Sequence, residues 1–171
     1  QSGKLHRYNV GKGEKGFAAE LEEAFAAYMG RTYCLACASC GSALYLALKS
    51  CGVKPGDMVL CNSYTLAPVP GAIENAGGKI VLVETADDYT IDLADLEAKA
   101  ANTVAKFFML SHMRGHIGNM DAVMDICARH KLVLIEDCAH TMGAKWDGKK
   151  SGNFGRVGCF STQTYKHINS G

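Results

Sequence analysis

The sequence predicts an α/β fold, a three-layer sandwich built on a mostly parallel sheet. Strand-like and helix-like segments alternate from residue 33 to residue 137. Several strand segments are unbroken apolar runs, as expected where helices cover both faces of a sheet. The residues that follow those runs are small, polar or titratable, and in such sheets ligands sit outside the carboxyl ends of the strands.

The elements follow in order. Phe17, Leu21, Ala24, Phe25, Tyr28 and Met29 fall at helical spacing, and Gly30 stops the helix. Residues 33–37 read as a short apolar strand. Residues 42–50 read as a helix with Leu44, Leu48 and Cys51 on one side, and residues 54–57, Lys-Pro-Gly-Asp, form a turn. A strand over 58–61 precedes a helix over 69–75, which Gly77 and Gly78 break before a strand over 79–83. Asp92 can cap a helix that carries Leu93 and Leu96. A strand over 106–110, a helical stripe of Met120, Val123, Met124 and Cys127, and a strand over 132–135 complete the alternation. A last short strand ends at Phe160. Residues 1–30 are expected to form an N-terminal segment and helix, and residues 31–171 a large domain that is incomplete in this chain.

Composition excludes several classes of function. With 171 residues, 48% of them hydrophobic, the chain can build one domain with a substantial core. A net charge of +1 gives no electrostatic reason to expect nucleic acid or an anionic membrane as partner. No apolar run approaches the roughly 20 residues that span a bilayer. The start, Gln1-Ser2-Gly3-Lys4, has no signal-peptide pattern, and the expected compartment is the cytoplasm. The missing initiator Met and an end at Gly171, directly after an apparent motif, lead us to expect a piece of a longer protein.

Eight cysteines admit a disulfide framework, but such frameworks belong to small secreted domains with poor cores. Cys34, Cys37 and Cys40 form C-x-x-C-x-x-C, yet the usual iron–sulfur run adds a fourth Cys followed by Pro, and here Gly41-Ser42-Ala43 follows. The expectation is reduced thiols and no metal.

Three places carry candidate chemistry. Asp137 ends the apolar run 132–135, with His140 close behind; it is either a cap or a carboxylate facing a ligand crevice. Residues 39–43, Ser-Cys-Gly-Ser-Ala, offer a Gly-containing turn into a helix start, where unpaired N–H groups and the helix dipole favour a phosphate. An ordinary capped helix has the same pattern. Lys166 follows the hydroxyl-rich turn Ser161-Thr162-Gln163-Thr164; in a pocket that lowers its pKa, a lysine forms an imine with an aldehyde cofactor, whereas most lysines are simply solvated.

Taken together and in order, these segments resemble the DegT/DnrJ/StrS family of sugar aminotransferases that depend on pyridoxal 5'-phosphate (PLP), within the fold-type I superfamily. The resemblance rests on residues 39–48, on Pro55-Gly56-Asp57 with Asn62-Ser63-Tyr64-Thr65, on Ser111-His112 with Gly115 and Met120-Asp121-Ala122, on residues 135–140 (Ile-Glu-Asp-Cys-Ala-His), on Gly148-Lys149-Lys150, and on Gly158-Cys159-Phe160-Ser161 with Lys166. It runs from about Gly11 to Gly171. It implies a PLP-binding large domain in which Lys166 holds the cofactor covalently and then moves protons. It implies that Asp137 pairs with the pyridinium nitrogen, that His140 lies near the ring hydroxyl, and that Gly41, Ser42 and Ser161 bind the phosphate, with Gln163 lining the pocket. Leu66 stands where many relatives place an aromatic residue on the cofactor ring, so Leu66, Tyr64 or His112 is expected to take that place.

The implied reaction transfers an amino group from an amino acid, glutamate or glutamine, to a nucleotide-linked keto-sugar. The implied assembly is a homodimer with a shared active site. Two alternatives stand beside it. One is a PLP-dependent sugar dehydratase; those relatives replace the lysine by His, and here Lys166 is present with His167 beside it. The other is a non-catalytic domain or fragment of the same fold.

Overall fold

The computed structural model describes residues 10–170, so the expectations that fall on residues 1–9 and on Gly171 lie outside the described residues. The chain divides into two compact units, residues 1–38 and 39–171.

In the first unit, helix α1 (Phe17–Met29) ends at Gly30, whose φ of 70° lets its N–H turn back onto the last helical carbonyls. The segment over 33–37 was expected to be a strand, but it joins no sheet among the described residues. Its polar groups are met differently: the Ala36 N–H donates to the Glu22 carboxylate at 2.7 Å. Tyr33 and Leu35 are mostly exposed, so the apolar run there does not mark a buried strand.

The second unit holds helices α2 (Cys40–Ser50), α3 (Pro68–Asn75), α4 (Leu93–Asn102) and α5 (Met120–His130). Its main strands are β1 (Met58–Asn62), β2 (Lys79–Val83), β3 (Phe107–Ser111) and β4 (Val133–Asp137). After β4 come the two-residue strands β5 (Lys145–Trp146) and β6 (Lys149–Lys150), and then β7 (Val157–Cys159). Five strands form one sheet in the order β2-β1-β3-β4-β7, every pair parallel. The chain leaves β1 toward β2 on one side and returns to β3 on the other, so the strand order reverses at the β1/β3 boundary, where doubly wound sheets open a crevice.

The pleat sorts each strand's side chains between two cores. Val59, Cys61, Phe107, Met109, Ile135 and Cys159 pack with α2 and α3. Leu60, Phe108, Leu110 and Leu134 pack with α4 and α5. The middle layer is therefore covered on both faces, which gives the three layers that the apolar runs predict.

The ladder runs further than the apolar runs do. Asn62 pairs with Val83, Ser111 with Asp137, and Asp137 with Cys159, so these polar residues lie inside the sheet rather than just past it. Strand pairing needs only backbone groups, and hydrophobicity stops one or two residues earlier. The β5–β6 hairpin, which the sequence reading left out, turns through Asp147 and Gly148 with φ of 44° and 77°. Both turn residues have positive φ, the condition of the Asp-Gly hairpin turn.

Candidate active site

The carboxyl ends of β1, β3, β4 and β7, together with the start of α2, form one edge of the second unit. Ser39 caps α2: its Oγ accepts from the Ser42 N–H at 3.1 Å and lies 3.0 Å from the Ser42 hydroxyl. Gly41 sits in this first turn, and a Cβ there would meet Ser39 and Pro68 only at ordinary contact distance. Packing within the protein therefore does not require glycine at this point, and the open approach suits a ligand that comes close to the backbone.

Asp137 is 7% exposed on the α2 side of the sheet. The Ser111 hydroxyl donates to its Oδ2 at 2.9 Å, and the Ala139 N–H donates to its Oδ1 at 3.1 Å. The Cys40 thiol, the first residue of α2, lies 3.9 Å from Oδ1, which brings the helix start to the carboxylate. Ser111 is itself clamped by Asn62. The Asn62 Oδ1 accepts the Ser111 N–H at 2.8 Å, and its Nδ2 donates to the carbonyls of Ser111 at 3.1 Å and Tyr64 at 2.8 Å. A buried amide with all of these bonds made is a rigid support.

His140 is half-buried, and its Nδ1 accepts the Arg114 backbone N–H at 3.1 Å. Its pKa lies below the ordinary 6.5: desolvation is the first cause, and the Lys166 charge adds to it against the opposing pull of Asp137. Lys166 and Asp137 both act electrostatically on His140, in opposite directions. The Lys166 loop is fixed by backbone bonds, with the Lys166 N–H donating to the Gln163 carbonyl at 2.8 Å and the Ser170 N–H to the Thr162 carbonyl at 2.8 Å. Ser161 is buried and its hydroxyl accepts from the Gln163 N–H at 3.3 Å. The Gln163 side chain turns into its own loop, where Oε1 accepts from the Tyr165 N–H at 3.1 Å.

Leu66 lies in the loop after β1 and is 46% exposed. Of the three residues expected to stack on a ring, His112 is covered by protein at 2% exposure, which leaves Leu66 and Tyr64. The Thr65 hydroxyl beside them is buried without a hydrogen-bond partner, an orphaned polar atom at the same edge.

Behind Asp137 lies a second carboxylate that the sequence reading did not single out as functional. Glu136 is fully buried on the opposite face. It accepts from the N–H groups of Gly152, Phe154 and Gly155 at 2.8, 2.8 and 2.6 Å, and its Oε2 is 3.2 Å from the His112 Nε2. Burial alone pushes Glu136 up, but these hydrogen bonds and the His112 interaction outweigh it and hold the carboxyl below its ordinary value. The loop it pins is close-packed: a Cβ on Gly155 would stand 2.5 Å from the Leu134 carbonyl oxygen. Donor atoms of His112, Glu136 and Cys138 lie within 4.8 Å of one another, a spacing that suits a metal ion. Both Glu136 oxygens are already taken, and burial, with the nearby Glu136 and Asp137 charges, pushes the Cys138 thiol well up, so the trio is a hydrogen-bonded support.

Among the described residues none of the eight cysteines is in a disulfide. Burial raises Cys61 and Cys127 to about 12, which keeps them protonated and makes them small apolar core residues.

The sequence matches the DegT/DnrJ/EryC1/StrS aminotransferase family over residues 8–171. It is 37% identical over 156 residues to GDP-perosamine synthase of Caulobacter vibrioides, covering 91% of this chain and 42% of that protein. It is 38% identical over 148 residues to L-glutamine:2-deoxy-scyllo-inosose aminotransferase of Streptoalloteichus tenebrarius, covering 86% of this chain and 35% of that protein. The fold superimposes on the crystal structure of 3-amino-5-hydroxybenzoic acid synthase with a TM-score of 0.82 and 33% identity, covering 88% of this chain and 39% of that one. The chain thus spans about two fifths of the length of the proteins it matches.

Proposed function

The chain belongs to the DegT/DnrJ/EryC1/StrS aminotransferase family, and from that premise we propose that it forms the cofactor-binding part of a PLP-dependent aminotransferase that moves an amino group from glutamate or glutamine to a nucleotide-linked keto-sugar. The observation that carries this reading is the meeting, at one sheet edge, of the Asp137 carboxylate and the start of α2, with the Cys40 thiol 3.9 Å from Oδ1; the Lys166 charge acts on His140, which follows Asp137.

The residues present suit PLP. The N-terminus of α2 at Gly41 and Ser42, with Ser161 from the loop after β7, takes the phosphate. Asp137, held by Ser111 and Ala139, offers its carboxylate to the protonated ring nitrogen. His140 would offer a hydrogen bond to the ring oxygen, Leu66 would cover a face of the ring, and Gln163, whose side chain turns into its own loop, would line the pocket through that loop. Lys166 would be the residue that holds the cofactor through its aldehyde, and its Nζ, once released, would be the group that moves a proton. PLP, when bound, supplies the electron-withdrawing ring that stabilises negative charge beside the transferred nitrogen.

The assembly in this reading is a homodimer in the cytoplasm, with small-molecule substrates and neither nucleic acid nor membrane as partner. In support, the net charge is +1, and no helix among the described residues is long and apolar enough to cross a membrane.

The test is covalent trapping. Borohydride reduction of the protein mixed with PLP is expected to add the cofactor's mass to the peptide that carries Lys166. Lys166→Ala is expected to lose that adduct and about 10²–10⁴-fold in amino transfer, the range for a positioned proton carrier, with an unchanged thermal midpoint. An adduct retained in Lys166→Ala, or found on another lysine, refutes the assignment.

A further inference from the structure

His140 is held by the backbone N–H of Arg114, and that backbone is in a conformation residues with a Cβ avoid. Arg114 has φ 55° and ψ 18°, and Gly115 follows with φ 85°. Gly115 takes this region without strain, but a left-handed arginine is costly, and such an outlier persists only where surrounding structure holds it, often at functional sites. Here the surroundings are identifiable. The His112 N–H donates to the Asp137 carbonyl at 3.1 Å, the Gly115 N–H to the His112 carbonyl at 3.1 Å, and the His116 N–H to the Met113 carbonyl at 3.1 Å. The turn thus hangs from the Asp137 backbone. A Cβ on Gly115 would lie 3.3 Å from the His140 carbonyl oxygen, so the turn presses directly on the histidine.

The turn aims the Arg114 N–H at His140 Nδ1, 3.1 Å away. An N–H can donate only to a nitrogen that carries a lone pair, so Nδ1 is unprotonated and the ring proton of the neutral imidazole resides on Nε2. We propose that the Met113–Gly115 turn is a tautomer lock, which makes His140 a fixed Nε2–H donor toward an oxygen of the ligand. The charged groups that act on His140 agree with a neutral ring: Lys166, Arg114 and His167 oppose its protonation, and Asp137 alone favours it. The lock accounts for the choice of residue chemically. A glutamine can accept from the same N–H with its carbonyl and donate with its amide, whereas a glutamate can accept but cannot donate.

This inference rests on the PLP reading for the identity of the ligand oxygen and not for the lock itself, and the experiment separates the two. Nitrogen-15 spectra of the histidine-labelled protein without PLP, with the His140 signals identified by their loss in His140→Gln, are expected to show Nδ1 as the unprotonated nitrogen and Nε2 as the protonated one at neutral pH. An Nδ1–H tautomer, a tautomer mixture or an imidazolium there overturns the lock. In PLP titrations, His140→Gln is expected to bind at least about ten-fold more tightly than His140→Glu, the value of one hydrogen bond to a charged acceptor. Equal affinities of the two variants overturn the donor role. Wild-type protein that has the Nε2–H tautomer but takes no PLP supports the lock and overturns the proposed function.

Discussion

Glu136 and Asp137 are neighbours at the end of β4, and the pleat turns them to opposite faces of the sheet. Glu136 faces the α4/α5 side, is wholly buried and accepts from three backbone N–H groups and His112. Asp137 faces the start of α2 and, among the described residues, accepts two bonds at normal length. A carboxylate has about four acceptor positions. Glu136 has used its set on the protein, whereas Asp137 keeps acceptor capacity on the side where a ligand would come. One residue holds the loop that leads into β7 and Lys166; the other is left available for chemistry. The lesson is that binding capacity is read from the lone pairs a buried group has left over, and not from burial or charge.

The sharpest way to break this comparison is to remove the carboxylate that is fully used. Glu136→Ala strands three backbone N–H groups and His112 in the interior, at about 1–3 kcal/mol for each unsatisfied group and less than additively. We expect a loss of about 4 kcal/mol or more by denaturant unfolding, a large share of the 5–15 kcal/mol that a typical domain has. The pH dependence follows from the sign of the shift. The folded-state value of Glu136 is below the ordinary 4.5, so its ionised form adds stability at pH above 4.5, and that stability is lost as pH falls through the folded-state value. Glu136→Gln is expected to lack this acid-side decline. A variant as stable as the wild type, with the same acid profile, would show that the loop over 152–155 is held by something else.

Asp137→Asn is expected to do the reverse. Its two hydrogen bonds can be met in part by an amide, so the unfolding midpoint should move little. The charge opposite the ring nitrogen is lost, and single-turnover amino transfer should slow about 10²–10³-fold, the usual effect of deleting one charge-stabilising group. PLP affinity should fall much less. Unchanged single-turnover rates, or a stability loss as large as that of Glu136→Ala, would erase the distinction between the two carboxylates.

How much of this was legible in the sequence depends on whether backbone or side chains decide. Apolar runs announced the parallel sheet because burial on both faces requires them, whereas the start of α2, read at residue 42, lies two residues earlier at Cys40, where Ser39 caps it. The same rule misread residues 33–37: Tyr33 and Leu35 are apolar but exposed, and Ala36 is tied to a side chain of α1 instead of a strand. Period-two alternation implied that Glu136 and Asp137 point apart. It could not say which one faces the crevice, since that depends on where α2 lies. The Asp147–Gly148 turn was readable as a hairpin signal and was passed over. The Arg114 turn had no signal, because arginine has no preference for the left-handed region; only the tertiary bonds that hang it from Asp137 put it there.

Leu66 offers the finest test of the comparison, because it asks what completes the Asp137 face. Its backbone is fixed, with the carbonyl accepting the Val69 N–H at 2.9 Å at the entry to α3, while its side chain remains 46% exposed. Trimming it should barely affect the protein alone, within about 0.5 kcal/mol for a surface substitution. If the side chain is covered by a ring held between Asp137 and α2, Leu66→Ala removes part of that apolar contact. Full burial of a leucine is worth about 1.5–3 kcal/mol, and a partial contact about 1 kcal/mol, so PLP should bind roughly five-fold more weakly. Leu66→Phe should bind at least as well as the wild type, since a larger flat surface covers more of the ring. Tyr64 is the rival, and its ring already leans on Tyr89 with centroids 5.6 Å apart. Unchanged affinity in Leu66→Ala together with a clear loss in Tyr64→Ala would move the stacking surface to Tyr64. Unchanged affinity in both would mean that the ring is held by its polar ends alone, through Asp137 at one and the start of α2 at the other.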